Sequence, residues 1–216
     1  MTEKEAKKDN KEEESLKKET NNENRILKII FIIAGIIIIL TLAYFLYAPA
    51  SKSLEYKGII FTVEKIGNLT FYDTVTLANN SYGAPFGFRI RTNPNDLKNV
   101  PFDSLNNFNF THFNVIKSDG NHTFLCEGYG IIAIVNLQRT FSEMGMSLIK
   151  DQNATCDPQG RYGLFMLKYG NETSINQIGN NCYEIEIKGN DSQCEILPAT
   201  EKLMVDMYAK YINLSK

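Results

Sequence analysis

From Ile29 to Ala48 the chain runs for 20 residues without a charge. A helix of that length spans about 30 Å, the thickness of a bilayer's hydrocarbon core. The run holds eight Ile, three Leu and two Phe. Each favours insertion by about 0.3–0.6 kcal/mol, roughly 4–8 kcal/mol together, which outweighs Gly35 and Thr41. Lys11, Lys17, Lys18, Arg25 and Lys28 precede the run, whereas only Lys52 and Lys57 follow it closely. Basic residues collect on the cytoplasmic side, so the pattern predicts a single-pass anchor in the cell membrane, N-terminus in the cytoplasm and C-terminal part outside. Tyr44 and Tyr47 then fall near the far interface. Ala48-Pro49-Ala50 has the form of a leader-peptidase site, and cleavage after Ala50 is the alternative. The length of the apolar run and the partly acidic leader favour retention.

This divides the chain into a polar tail (1–25), a transmembrane signal-anchor helix (26–48), a linker (49–56) and an extracytoplasmic domain (57–216). The first 24 residues hold six Lys, eight Asp or Glu and four Asn, with Met1, Ala6 and Leu16 the only apolar ones. Such a segment buries too little surface to offset its ordering entropy, so disorder is expected. The whole chain balances 23 Lys+Arg against 25 Asp+Glu. It lacks the basic excess of a nucleic-acid binder. The expected partners are therefore the membrane and an unspecified envelope or cell-surface component.

All four cysteines, Cys126, Cys156, Cys182 and Cys194, lie beyond the apolar run. An even count on an exported face predicts disulfides, and the absence of C-x-x-C argues against a zinc ribbon or thioredoxin-like pair. Three pairings are open. Nearest neighbours close the shorter loops and point to Cys126–Cys156 and Cys182–Cys194; one bridge with two free thiols is the rival. Residues 51–216 also contain 19 Asn, with 21 Ser or Thr. Chance gives about two or three Asn-x-Ser/Thr triplets, and eight occur, the pattern of N-glycosylation acceptors. The candidates are Asn68, Asn80, Asn109, Asn121, Asn153, Asn171, Asn190 and Asn213.

Apolar and β-branched runs predict strands at 59–64, 69–76, 86–91, 110–117, 123–126, 146–150, 163–169 and 183–188. Asn93-Pro94 starts a turn or a single helical turn. Helices are expected over 131–144 and from about Pro198 to Ile212. The expected fold is α+β: the anchor helix, then a mostly antiparallel sheet with two covering helices.

Gly128-Tyr129-Gly130-Ile131-Ile132-Ala133 has the G-x-G-x-x-A form of a dinucleotide-binding turn, with an expected strand before it and Asp151 after. No βαβ repeat follows, so a helix start that needs glycines is the better reading. His112 and His122 sit in polar loops without metal-ligand spacing. Glu184 and Glu186 alternate with apolar residues, as a solvated strand face flanked by Lys188 would. Glu172 lies in a turn. No nucleophile elbow, zinc-helix pair or phosphate loop occurs, and no catalytic residue, cofactor or metal ligand is assigned.

Three stretches carry a resemblance: Arg91–Pro101, Gly170–Ile175, and Asn181-Cys182-Tyr183-Glu184-Ile185 with Cys194–Glu201. They resemble an uncharacterised group of archaeal single-pass membrane proteins. The likeness extends over most of residues 53–212 and to the order of anchor, β-rich half, central helix and four cysteines. It implies no activity, cofactor or catalytic residue. The resulting expectation is a membrane-anchored, disulfide-bonded, N-glycosylated surface or envelope protein acting in binding or structure. The alternative is an envelope enzyme, hydrolase or thiol-redox. A pilus subunit lacks support, because Asn24–Lys28 carry no prepilin signal.

Overall fold

The computed structural model describes residues 28, 30–43, 53–102, 107–120 and 122–214. The chain forms two compact units, Met1–Ala50 and Ser51–Lys216. In the first, residues 30–43 form helix α1, whose large apolar side chains, such as Phe31 and Leu40, are exposed. Its polar Thr41 hydroxyl is satisfied within the helix, donating to the Ile37 and Ile38 carbonyls. Among the described residues no helix is long and apolar enough to cross a membrane. The polar tail, residues 26, 27, 29 and 44–48 of the expected span and the Ala48-Pro49-Ala50 site lie outside the described residues.

The second unit is α+β. Strands β1 (Ser53–Tyr56), β2 (Ile59–Ile66), β3 (Leu69–Thr74) and β6 (Arg89–Ile90) make an antiparallel sheet in the order β1-β2-β3-β6. Residues 53–56, expected in the linker, thus form its first edge. β4 (Ala78–Asn79) and β5 (Pro85–Phe86) pair antiparallel beside it. The larger sheet holds β7 (Phe113–Ser118), β8 (Ser147–Lys150), β9 (Gly163–Gly170), β10 (Ser174–Gly179) and β11 (Cys182–Lys188), ordered β10-β11-β9-β7-β8. Pairing across the unit is mostly antiparallel, but β7–β8, β7–β9 and β9–β11 run parallel. Helix α2 (Tyr129–Glu143) is the crossover joining parallel β7 to β8. Helix α3 (Ile196–Leu214) closes the chain.

Local chemistry explains the elements. Along β11, Tyr183, Ile185 and Ile187 are fully buried while Glu184 and Glu186 are partly exposed, the period-2 pattern of a strand with one covered face. β9 runs between two neighbours and buries Leu164, Phe165 and Leu167 on both faces. Residues 86–91, expected as one strand, divide at Gly87. A Cβ there would sit 2.2 Å from the Thr74 hydroxyl, which accepts from the Phe88 N–H and donates to the Phe88 carbonyl. The hydroxyl takes the Phe88 N–H in place of a ladder carbonyl, while the Thr74 N–H still donates to the Phe88 carbonyl at 3.0 Å, and the chain passes from β4 to β3. Asn93-Pro94 does lead into a single 3-10 turn, Asp96–Asn99.

Both later helices pack on the larger sheet, α2 against β8 and α3 against β10 and β11, but α3 is also enclosed, buried from Ala199 to Ala209. Its polar groups reach partners far away in sequence. Tyr208 takes the Ala78 N–H at 2.8 Å and donates to the Phe86 carbonyl at 2.7 Å. Glu201 accepts the Arg91 and Thr92 N–H groups, both at 2.8 Å. Asp206 Oδ2 is 2.7 Å from Lys57 Nζ and 3.2 Å from Lys202 Nζ. Lys202 also donates to the Tyr56 hydroxyl at 2.6 Å. Burial, reinforced by Asp206, pushes the Tyr56 phenol up to about 12.

Candidate functional site

The cysteines form two disulfides, Cys126–Cys194 and Cys156–Cys182, and none is free. This overturns the nearest-neighbour pairing. Loop length loses to topology: β11 lies beside β9, bringing Cys182, its first residue, against the loop that precedes β9 and carries Cys156. The other bridge joins the chain just ahead of α2 to the chain just ahead of α3, with Cα atoms 5.2 Å apart.

Around that bridge the expected strand 123–126 is absent. Phe124, Cys126 and Glu127 all take positive φ, at 50°, 46° and 55°. Such angles are rare outside glycine and need outside support. Asp191 supplies it: Oδ1 accepts the Tyr169 hydroxyl at 2.9 Å and the Thr123 and Phe124 N–H groups, and its carbonyl accepts the Cys126 N–H. His122 Nδ1 lies 3.4 Å from Oδ2. The Tyr169 bond, followed by His122, holds the Asp191 carboxyl below the usual range. With its oxygens engaged this way, Asp191 is a clasp for the loop. The glycines of the G-x-G-x-x-A run serve the helix start, as expected. Gly128 has φ 91°, and a Cβ on Gly130 would lie 1.7 Å from the Phe124 carbonyl oxygen.

Among the candidate acceptors, Asn68, Asn109, Asn153, Asn171, Asn190 and Asn213 are exposed. Asn121 lies outside the described residues. Asn80 is a correction. In Asn79-Asn80-Ser81 the serine stands two positions after Asn79, so Asn79, also exposed, heads the triplet. The Asn80 amide is occupied: Nδ2 donates to Glu143 at 2.9 Å, and Oδ1 accepts the Tyr82 and Ala84 N–H groups. His112, Glu172 and Asp151 are exposed and stand apart. Glu184, Glu186 and Lys188 share the outer face of β11, and Glu184 also pairs with Lys168 at 2.8 Å. Among the described residues no group of three His, Cys, Asp or Glu is placed to hold a metal ion.

One concave site was not foreseen. A cleft of about 260 Å³ lies between α2 and the strands around Gly87. Arg89 and Arg91 enter it from β6 and the residue after it, Arg139 and Glu143 from α2, and Phe71 and Phe88 supply apolar wall. Arg89 is neutralised, with Asp73 on Nε and Glu64 on Nη2. Arg91 and Arg139 make no salt bridge among the described residues. Arg91 is held in place, its guanidinium 5.4 Å from the Phe71 ring and 5.5 Å from the Tyr129 ring. The Arg89-Ile90-Arg91 alternation was legible as a strand with both arginines on one face. Arg139 comes from a helix, and only the tertiary fold brings it to them.

No family model, curated protein or solved structure matches this chain.

Proposed function

We propose that this chain is a membrane-anchored, disulfide-bonded and N-glycosylated protein of the cell surface or envelope, acting in binding or in structure. The observation that carries the reading is the pairing of every cysteine into two disulfides, a state that persists in oxidising compartments outside the cytosol. Exposed acceptor triplets and the uncharged run at 29–48 support it. The first described part of that run is helical with its apolar side chains outward, as a lipid-facing segment requires.

Protease added to sealed cells tests this. The expected result is loss of the C-terminal unit with survival of a short membrane-retained fragment. Intact mass of the released unit should exceed the sequence mass by whole glycans, and Asn79→Gln should remove one of them if that triplet is used. A C-terminal unit that resists protease until the cells are lysed contradicts the reading. Turnover of a hydrolase or thiol substrate by the purified chain, abolished by a point change, favours the enzyme alternative.

A further inference from the structure

We infer that the cleft between α2 and the Gly87 strands is a binding site for a carboxylate carried on a single-ring body, as in one uronic-acid unit of an acidic glycan. The inference rests on the binding form of the function proposed above and names its ligand class.

Three features of the cleft select this chemistry. First, it holds two guanidiniums free for a ligand: Arg89 is taken up by Asp73 and Glu64, whereas Arg91 and Arg139 lack salt bridges among the described residues. The Glu201 carboxylate, close enough to Arg91 to feel its charge, is buried and committed to the Arg91 and Thr92 backbone. A guanidinium presents a planar fork that matches a carboxylate with two parallel hydrogen bonds. Stacking between Phe71 and Tyr129 orders Arg91 before any ligand arrives, so little rotamer entropy remains to be lost on binding.

Second, the three arginines are balanced by Asp73, Glu64 and Glu143. Glu143 borders the cleft, fixed by its bond from Asn80. The cleft also follows α2 from Ile132 in its first turn to Glu143 at its end, and near that end, beside Arg139, the helix dipole is negative. Both repel any anion, a dense dianion such as phosphate about twice as strongly as a single carboxylate.

Third, the rest of the wall suits a ring with hydroxyl groups. Phe88, Ile132 and Met204 are apolar, and the Asn136 amide is a polar group beside them. At about 260 Å³ the cleft is smaller than the roughly 300–1,000 Å³ typical for drug-sized ligands. One ring fits, with the remainder of a polymer outside.

The test uses the full chain in nonionic detergent, titrated with sodium glucuronate, glucose, inorganic phosphate and an oligogalacturonide by calorimetry and ligand-observed NMR. Glucuronate should bind saturably, more weakly as salt rises, and glucose should not bind. Arg139 is exposed, so Arg139→Ala should keep its thermal unfolding while affinity falls about tenfold or more. Arg91→Lys keeps the charge without the fork or the stacking and should also weaken binding, while Arg161→Ala, in the β8–β9 loop, should not. Tighter binding of the oligogalacturonide identifies the polymer as the source of the carboxylate, and equal binding identifies the free acid. Glucose binding as well as glucuronate, phosphate binding tenfold tighter, or glucuronate affinity unchanged in Arg139→Ala each overturns the inference. A chain that protease shows to be external yet binds no carboxylate sinks only this site. One that binds glucuronate but lies inside the cell sinks only the location.

Discussion

The two long helices of the C-terminal unit meet the burial problem in opposite ways. α2 lays one face on the larger sheet and leaves Ile131 and Val135 exposed at 62% and 54%. α3 is enclosed, and takes Glu201, Lys202 and Asp206 into the interior with it. A surface helix needs only a stripe of apolar residues. An enclosed one needs a partner for every polar group it buries, because an unpaired charge in the interior costs far more than a lost contact. The α3 charges find theirs on Tyr56, Lys57, Arg91 and Thr92, more than a hundred residues earlier, leaving only Asp206 Oδ1 without a hydrogen bond among them. A helix can therefore carry charges along its length and still be the centre of the fold.

Breaking the α3 arrangement should give the largest effect. Asp206→Ala leaves Lys202 buried without its anion and is expected to cost about 3–5 kcal/mol in urea unfolding. A cost under about 1 kcal/mol would mean that α3 is less enclosed than described. The Cys126–Cys194 bridge ties the starts of both helices together across 68 residues, whereas Cys156–Cys182 closes 26. Chain entropy then predicts about 4 kcal/mol lost on removing the first pair as alanines and about 3.5 kcal/mol for the second. The reverse order in denaturant titrations would separate the helix starts from the main source of cooperativity.

At the start of α2, Gly130→Ala drives a methyl into the Phe124 carbonyl and should cost about 1–3 kcal/mol, read by thermal unfolding. The smallest effect lies outside both helices. Hydrogen bonds from the Arg161 side chain and N–H hold the Asp157 carboxyl down at about 2. A depressed carboxylate stabilises the fold above its unfolded value of about 4, and that stabilisation fades as pH falls towards 2. Arg161→Ala should flatten this part of the stability profile, and an unchanged acid limb would show that the pair contributes nothing.

The contrast between the helices also explains what the sequence revealed. Both helices were found by their apolar periodicity, within about two residues at their ends. The β11 alternation and the 3-10 turn after Pro94 were legible because each depends on local chemistry. Ser174–Gly179 was not read as a strand, since Ile175 and Ile178 stand apart among polar residues, with neither an apolar run nor a period-2 alternation. Thr123–Cys126 has strand-like composition, but Asp191 and the disulfide impose a different backbone on it. The cysteine pairing and the arginine cleft were hidden for one reason. Each joins residues that only the sheet order and the β7-α2-β8 crossover bring together.

The most direct measurement is the state of the four thiols in living cells. Cells quenched in acid and alkylated before and after reduction should yield chain labelled only after reduction, with peptides linking Cys126 to Cys194 and Cys156 to Cys182. All four cysteines labelled before reduction would contradict both the paired framework and the exported location inferred from it.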